Sequence, residues 1–252
     1  MKITISILTT FLVLLIPACS HDIIDSGRVQ PSTITDIDGN VYQVIKIGEQ
    51  WWMTENLKVT RYRNGDRIPL IKDSKEWKHT FFGAYAIYPH TRLDGLETNE
   101  EVGDKYGLLY NWYAVNNSRG LCPEGWHIPS DADWKKLEMH LGMSQQDANQ
   151  TGRRGYNQGG QIKSRRTDPD PHPSWRSPNV GATDYAGFSA VPGGFRSYDG
   201  SFDDIGRRGV WWSSTKYDDI MVWSRILHFQ YGNIFRDISC IDDGLSVRCV
   251  SY

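Results

Sequence analysis

Apolar and polar positions in this chain come in short runs whose period changes several times. The first run, Ile3 to Ile16, is apolar apart from Ser and Thr, and it is shorter than the ~20 residues a membrane-crossing helix needs. A polar stretch follows to residue 33. Alternation then begins: Ile34 to Ile37, the turn Asp38-Gly39-Asn40, and Val41 to Ile47 predict a β-hairpin. In its second strand Val41, Gln43, Ile45 and Ile47 share one face, and Tyr42, Val44 and Lys46 the other. Gly48-Glu49-Gln50 turns into another short strand, Trp51 to Thr54, and from Asn56 to about Lys105 the pattern is irregular. Tyr106 to Val115 is apolar almost all round and predicts a buried helix. Ser130 to Leu141 predicts a second helix, with Ser130 as N-cap, Asp131 and Asp133 in the positive first turn and Gly142 at the C-terminal end. Its core stripe is Trp134, Leu137, Met139 and Leu141. Residues 144–178 read as a long loop with room for one short helix. Strands dominate afterwards: Phe188 to Phe195, Val210 to Thr215, Met221 to Gln230, Asn233 to Ile238 and Leu245 to Val250. No repeat recurs, which argues against a propeller or solenoid.

Composition sharpens this picture. Ten Trp and 24 Gly among 252 residues suit short strands joined by ordered loops that large side chains hold down. The length suffices to bury a proper core in one large or two small domains. With 28 basic and 30 acidic residues the net charge is −2, and no basic patch marks a nucleic-acid partner.

The N-terminus predicts export. Lys2, the apolar run and Ile16-Pro17-Ala18-Cys19 form a secretory signal over residues 1–18 whose cut site resembles a bacterial lipobox. The resemblance implies that Cys19 is acylated, with residues 19–33 as a tether and residues 34–252 as one folded domain. Membrane attachment would run through the lipid, placing the protein in the cell envelope, by expectation at the outer membrane. Asp22 and Asp25 resemble a surface-export signal, although an ordinary polar linker explains them equally. Cys122, Cys240 and Cys249 then remain for an oxidising compartment. They allow one bridge: Cys122–Cys249, tying the middle of the chain to its last strand, or Cys240–Cys249.

Several segments together resemble the Fibrobacter succinogenes major paralogous domain: IDGNVYQVIKIGEQWWMTENL (37–57), YGLLYNWYAV (106–115), CPEGWHIPSDADWKKL (122–137), GFSAVPGGFR (187–196), VWWSST (210–215) and LSVRCV (245–250). That family resembles the C-type-lectin-like fold, particularly the branch holding formylglycine-generating enzymes. The implied fold class is α+β, with two helices packed on a twisted, mostly antiparallel sheet and long loops.

The resemblance also frames the candidate chemistry. The enzyme branch oxidises a substrate cysteine with a copper-binding cysteine pair, since thiolates are soft ligands for Cu(I). Here Cys240 is the one spare thiol once Cys122 and Cys249 pair, so no catalytic residue is assigned. Calcium lectins of this fold use Glu-Pro-Asn or Gln-Pro-Asp with Trp-Asn-Asp. Only Ser177-Pro178-Asn179 comes near. Asp203-Asp204, Asp218-Asp219 and Asp242-Asp243 could each hold a structural Ca²⁺ or serve as solvated turn carboxylates. No zinc-ligand spacing or other cofactor motif is present. For binding, Trp175, Trp211, Trp212 and Trp223 are the candidate stacking residues for a glycan or protein ligand, with core packing as their competing role. The tandem arginines at 153–154, 165–166 and 207–208 could meet anionic glycans or form a solvated face. The expectation is a non-catalytic binding protein, with a metal-dependent oxidase or a structural surface component as alternatives.

Overall fold

A computed structural model describes residues 32–252. The signal peptide 1–18, Cys19 and most of the 19–33 tether lie outside the described residues. The elements run in chain order as β1 (Thr33–Thr35), β2 (Val41–Ile47), β3 (Gln50–Met53), α1 (Ser74–Lys78), β4 (Tyr85–Ala86), α2 (Asn99–Tyr106), β5 (Leu109–Tyr110) and α3 (Trp112–Val115). Then come α4 (Asp131–His140), α5 (Gln145–Asn149), β6 (Gly152–Arg154), α6 (Gln158–Ile162), β7 (Gly193–Arg196) and β8 (Phe202–Ile205). The last four are β9 (Arg208–Lys216), β10 (Met221–His228), β11 (Ile234–Cys240) and β12 (Val250–Ser251).

The architecture is mixed α+β, with strands dominating. One sheet has the order β1-β2-β3-β12, a second β6-β11-β10-β9-β7-β8, and β4 pairs with β5. All pairs are antiparallel except β7 with β9. The predicted first hairpin forms because Asp36 organises its turn: its carboxylate accepts the backbone N–H groups of Asp38 and Asn40 and, at 2.7 Å, the Tyr42 hydroxyl. Tyr42 is buried, while Val41 on the opposite face is 56% exposed.

Helix α4 begins as its sequence dictates. The Ser130 hydroxyl accepts the Asp133 backbone N–H and the Asp133 carboxylate accepts the Ser130 backbone N–H, a complete capping box. Its buried face is not purely apolar. Trp134 and Leu137 enter the core, but the fully buried Glu138 occupies the position expected for Met139, which is only half-buried. Glu138 receives the Arg154 fork at 2.6 and 2.8 Å and Arg225 Nε at 2.6 Å. Asp131 receives Arg236 at 2.8 and 2.9 Å, Arg225 at 2.9 Å and Lys135 at 3.0 Å. Burial pushes the Asp131 carboxyl up, but these cations outweigh it and hold it well below the usual range. The network fastens α4 to β6, β10 and β11.

Three expectations need correction. Residues 106–115 are not one helix: Gly107, at φ +82°, ends α2, and the chain continues as β5 before turning into α3. Asn111 forces that turn, its side-chain oxygen accepting the backbone N–H groups of Ala84 and Ala114. The segment 56–105 contains α1 and α2, and 144–178 contains α5, β6 and α6. Cys122 and Cys249 form a disulfide, their Cα atoms 5.8 Å apart, and Cys240 is the free thiol among the described residues.

Candidate functional site

The loop after β3, the last turn of α2 and the 164–191 segment converge on one face. Their floor is polar and buried. Arg248, fully buried, donates to Asn56 Oδ1 at 2.9 Å, to Ser189 O at 2.8 Å and to the Phe188 carbonyl. Asn56 Oδ1 also accepts Trp211 Nε1 at 2.8 Å, while its amide donates to Tyr106 O at 2.8 Å. Burial pushes the Arg248 guanidinium down to about 9, opposed by the charges of Glu55 and Asp184. Asp184 in turn accepts the Ser189 backbone N–H and hydroxyl, and both residues have positive φ, +48° and +53°. Such backbone conformations cost energy in non-glycine residues and persist where surrounding bonds impose them.

Two open clefts lie at this face, the first of them lined by Asn56, Asp184 and Ser189 of the floor. One, about 660 Å³, is lined by residues that include Glu55, Asn56, Lys105, Arg166, Asp184 and Ser189. The other, about 800 Å³, is lined by residues that include Arg92, Lys105, Asp168, His172, Arg176 and Arg207. Lys105 lines both, and the segment 172–174 contributes Pro173 to the first and His172 and Ser174 to the second. That dividing segment is pinned to α2. His172 Nδ1 lies 2.6 Å from the Tyr106 hydroxyl and its Nε2 2.9 Å from Asp94 O, while the Ser174 backbone N–H donates to Tyr106 at 3.3 Å. Burial raises the Tyr106 pKa, so its hydroxyl stays neutral.

The cleft acids and cations differ in their bonding. Glu55 accepts Gln43 N–H and the Thr54 hydroxyl, Asp168 accepts the Ser174 hydroxyl, and Asp170 accepts Thr167 N–H. Asp94 and Asp104 make no side-chain bond among the described residues. By contrast Arg92, Lys105, Arg165, Arg166, Arg176 and Arg207 are all exposed, and none forms an ion pair among the described residues.

The candidate tryptophans lie elsewhere. Trp175, Trp211 and Trp212 are core residues, 0, 1 and 0% exposed, and offer no ring to a ligand. Each donates its indole N–H inward: Trp175 to Ala190 O, Trp211 to Asn56 and Trp212 to Tyr110 O. Trp223 is half-buried, with Arg236 3.4 Å above its ring and Tyr217 against its edge. Of the tandem arginines, Arg154 is buried against Glu138, and Arg208 pairs with Asp204. Arg165, Arg166 and Arg207 reach the clefts.

Asp203 and Asp204 lie on β8, and the other two acidic pairs act in turns. Asp218 accepts the backbone N–H groups of Ile220 and Met221, and Asp243 accepts those of Cys240 and Tyr198. Among the described residues, no group of three His, Cys, Asp or Glu side chains is placed to hold a metal ion. No described helix is long and apolar enough to cross a membrane. Sequence reasoning missed Lys105, Asp184, Ser189 and the Tyr106–His172 staple. Only the Thr98-x-x-Glu101 capping box before α2 signalled any of it.

Residues 45–251 match the family model described as the Fibrobacter succinogenes major domain. No curated protein and no solved structure matches the chain.

Proposed function

The chain belongs to the Fibrobacter succinogenes major domain family, and from that premise we propose a non-catalytic envelope protein that holds a glycan or protein ligand in the double cleft. The observation carrying this reading is the cleft itself: open, lined mainly by polar and charged residues, and set in its smaller half on mutually bonded buried groups. Such a floor keeps its shape without a ligand, so binding orders little chain. The C-type-lectin-like fold belongs to the same proposal, as does anchoring through Cys19. The bridge between Cys122 and Cys249 favours an oxidising compartment, in keeping with the signal-like residues 1–18.

The alternative, a copper-dependent oxidase, needs two thiols together. With Cys122 and Cys249 bonded to each other, Cys240 has no partner cysteine among the described residues. Burial and the neighbouring Asp243, Asp242 and Asp218 also raise its pKa, which disfavours the thiolate a soft metal would take.

Blocking the cleft tests the proposal. Asp104, exposed on α2 and free of side-chain bonds among the described residues, lines the smaller cleft, and Asp104→Trp would fill it. With Cys19→Ser in both proteins, so that no lipid holds either, the otherwise wild-type protein should adhere to purified cell envelopes and the Asp104→Trp variant should lose that adhesion. Equal retention of wild type and variant would overturn the proposal.

A further inference from the structure

We propose that the double cleft takes an acidic polysaccharide, a chain carrying carboxylate or sulfate groups. The inference rests on the cleft reading above and names its ligand class. Six cationic side chains, Arg92, Lys105, Arg165, Arg166, Arg176 and Arg207, line the two hollows. Counting acids alone would predict neutrality, because Glu55, Asp94, Asp104, Asp168, Asp170 and Asp184 line them too. Bonding breaks the tie.

Four of those carboxylates already accept hydrogen bonds from backbone N–H or hydroxyl groups, and Glu55 and Asp184 also offset the buried Arg248 charge. A carboxylate spent on an internal donor attracts an external cation less and repels an external anion less. Five of the six cations have no such internal use. Arg165 gives one N–H to the Thr183 carbonyl, and the other five make no side-chain hydrogen bond or ion pair among the described residues. Guanidinium groups so placed present free forks that match carboxylate and sulfate oxygens.

Shape selects a polysaccharide over a peptide. Most of the lining residues are polar or charged, and the apolar ones, such as Leu93, Leu96, Val191 and Pro173, are scattered among them. Lys105 belongs to both hollows, so one chain with charges repeated along its length could engage cations in each.

The test titrates full-length protein against polygalacturonate, a carboxylated chain, and dextran sulfate, a sulfated one. Unmodified dextran and poly-L-glutamate serve as comparators. Binding to one or both acidic polysaccharides is expected, and the stronger of the two names the anion. Arg166→Glu with Arg176→Glu, one in each hollow, should weaken it about tenfold, as should about 1 M salt, where screening shortens to ~3 Å. Lys105→Gln, a milder change at the shared position, should weaken it less. Lys75→Glu with Lys78→Glu, on α1 and outside both linings, makes the same charge change and should leave binding intact. Circular dichroism would establish that each variant is folded.

Equal weakening by the α1 pair would show diffuse attraction and overturn the proposal. So would equal binding of poly-L-glutamate or of unmodified dextran. Failure to bind any acidic polysaccharide overturns it as well, yet leaves the adhesion of Asp104→Trp to decide separately whether the cleft binds at all.

Discussion

Glu138→Gln removes one negative charge from the interior while barely changing volume. In the native protein three buried guanidinium groups, Arg154, Arg225 and Arg236, share Glu138 and Asp131, with Lys135 at the edge. After the substitution only Asp131 remains to offset them. Arg154 suffers most: one of the two oxygens its fork meets becomes an amide NH2, a donor facing a donor, while Ala148 O, Met143 Sδ and one amide oxygen remain, and its Nε already lacks a partner among the described residues. Breaking a buried ion pair from one side costs about 3–5 kcal/mol because the surviving charge stays buried. For a domain of this size that lowers Tm by about 6–20 °C. Calorimetry on the oxidised protein measures the loss, and urea titration gives it independently. The companion variant Glu138→Leu with Arg154→Met replaces the pair by apolar groups and should recover much of the loss. A Glu138→Gln loss below about 1 kcal/mol, or a double variant no more stable than the single, would refute the reasoning.

The Cys122–Cys249 bridge closes a separation of 127 residues. In the chain-entropy view it contributes about 5 kcal/mol, so dithiothreitol should lower the urea midpoint strongly, and an unchanged midpoint would count against it. Cys240 should react with iodoacetamide at pH 7.5 about tenfold more slowly than free cysteine, then quickly once denaturant is added; prompt reaction in the native state would contradict its burial. Burial and the charges of Asp242 and Asp199 push Asp243 up to about 6, against the pull of two backbone N–H donors. The folded state therefore holds that proton more tightly than the unfolded chain. Its stabilising contribution is full below about pH 4 and lost as pH rises through 6. Acidifying from pH 7 to 4 should thus add about 1–2 kcal/mol from this group, less than the full shift implies because the side chain still touches solvent. Asp243→Asn should flatten that window, and parallel stability profiles for the two proteins would contradict the assignment.

Local chemistry made some of this legible in the sequence. Asp36 and Gly39 make the first turn whatever surrounds them, and Ser130 with Asp133 starts α4 from four consecutive residues. Tyr106 to Val115 misled because an all-apolar segment reads as a buried helix, whereas here it crosses the core as strand and helix around Asn111. Tandem arginines are solvated in most proteins, so nothing local says that Arg154 turns inward to Glu138 while Arg166 stays out. Tryptophan pairs pose the same problem: Trp211 and Trp212 are both buried because each face of β9 is covered by another part of the chain. The cleft was least legible. Residues 55–56, 105, 165–166, 184 and 189 meet only through long-range pairing.

Residues 244–250 bond to almost every region of the molecule. Gly244 pairs with Arg196, Leu245 with Tyr110, Ser246 with Trp211 and Val250 with both His127 and Trp52, while Cys249 carries the disulfide. A growing polypeptide therefore lacks the seam of its own interior until these seven amino acids have been synthesised. Partial products lack these pairings and the disulfide, and a loose polymer is what a narrow translocation pore accepts. For an exported polypeptide, synthesis order alone would then postpone collapse until most of the domain is through, with no separate factor holding the polymer open.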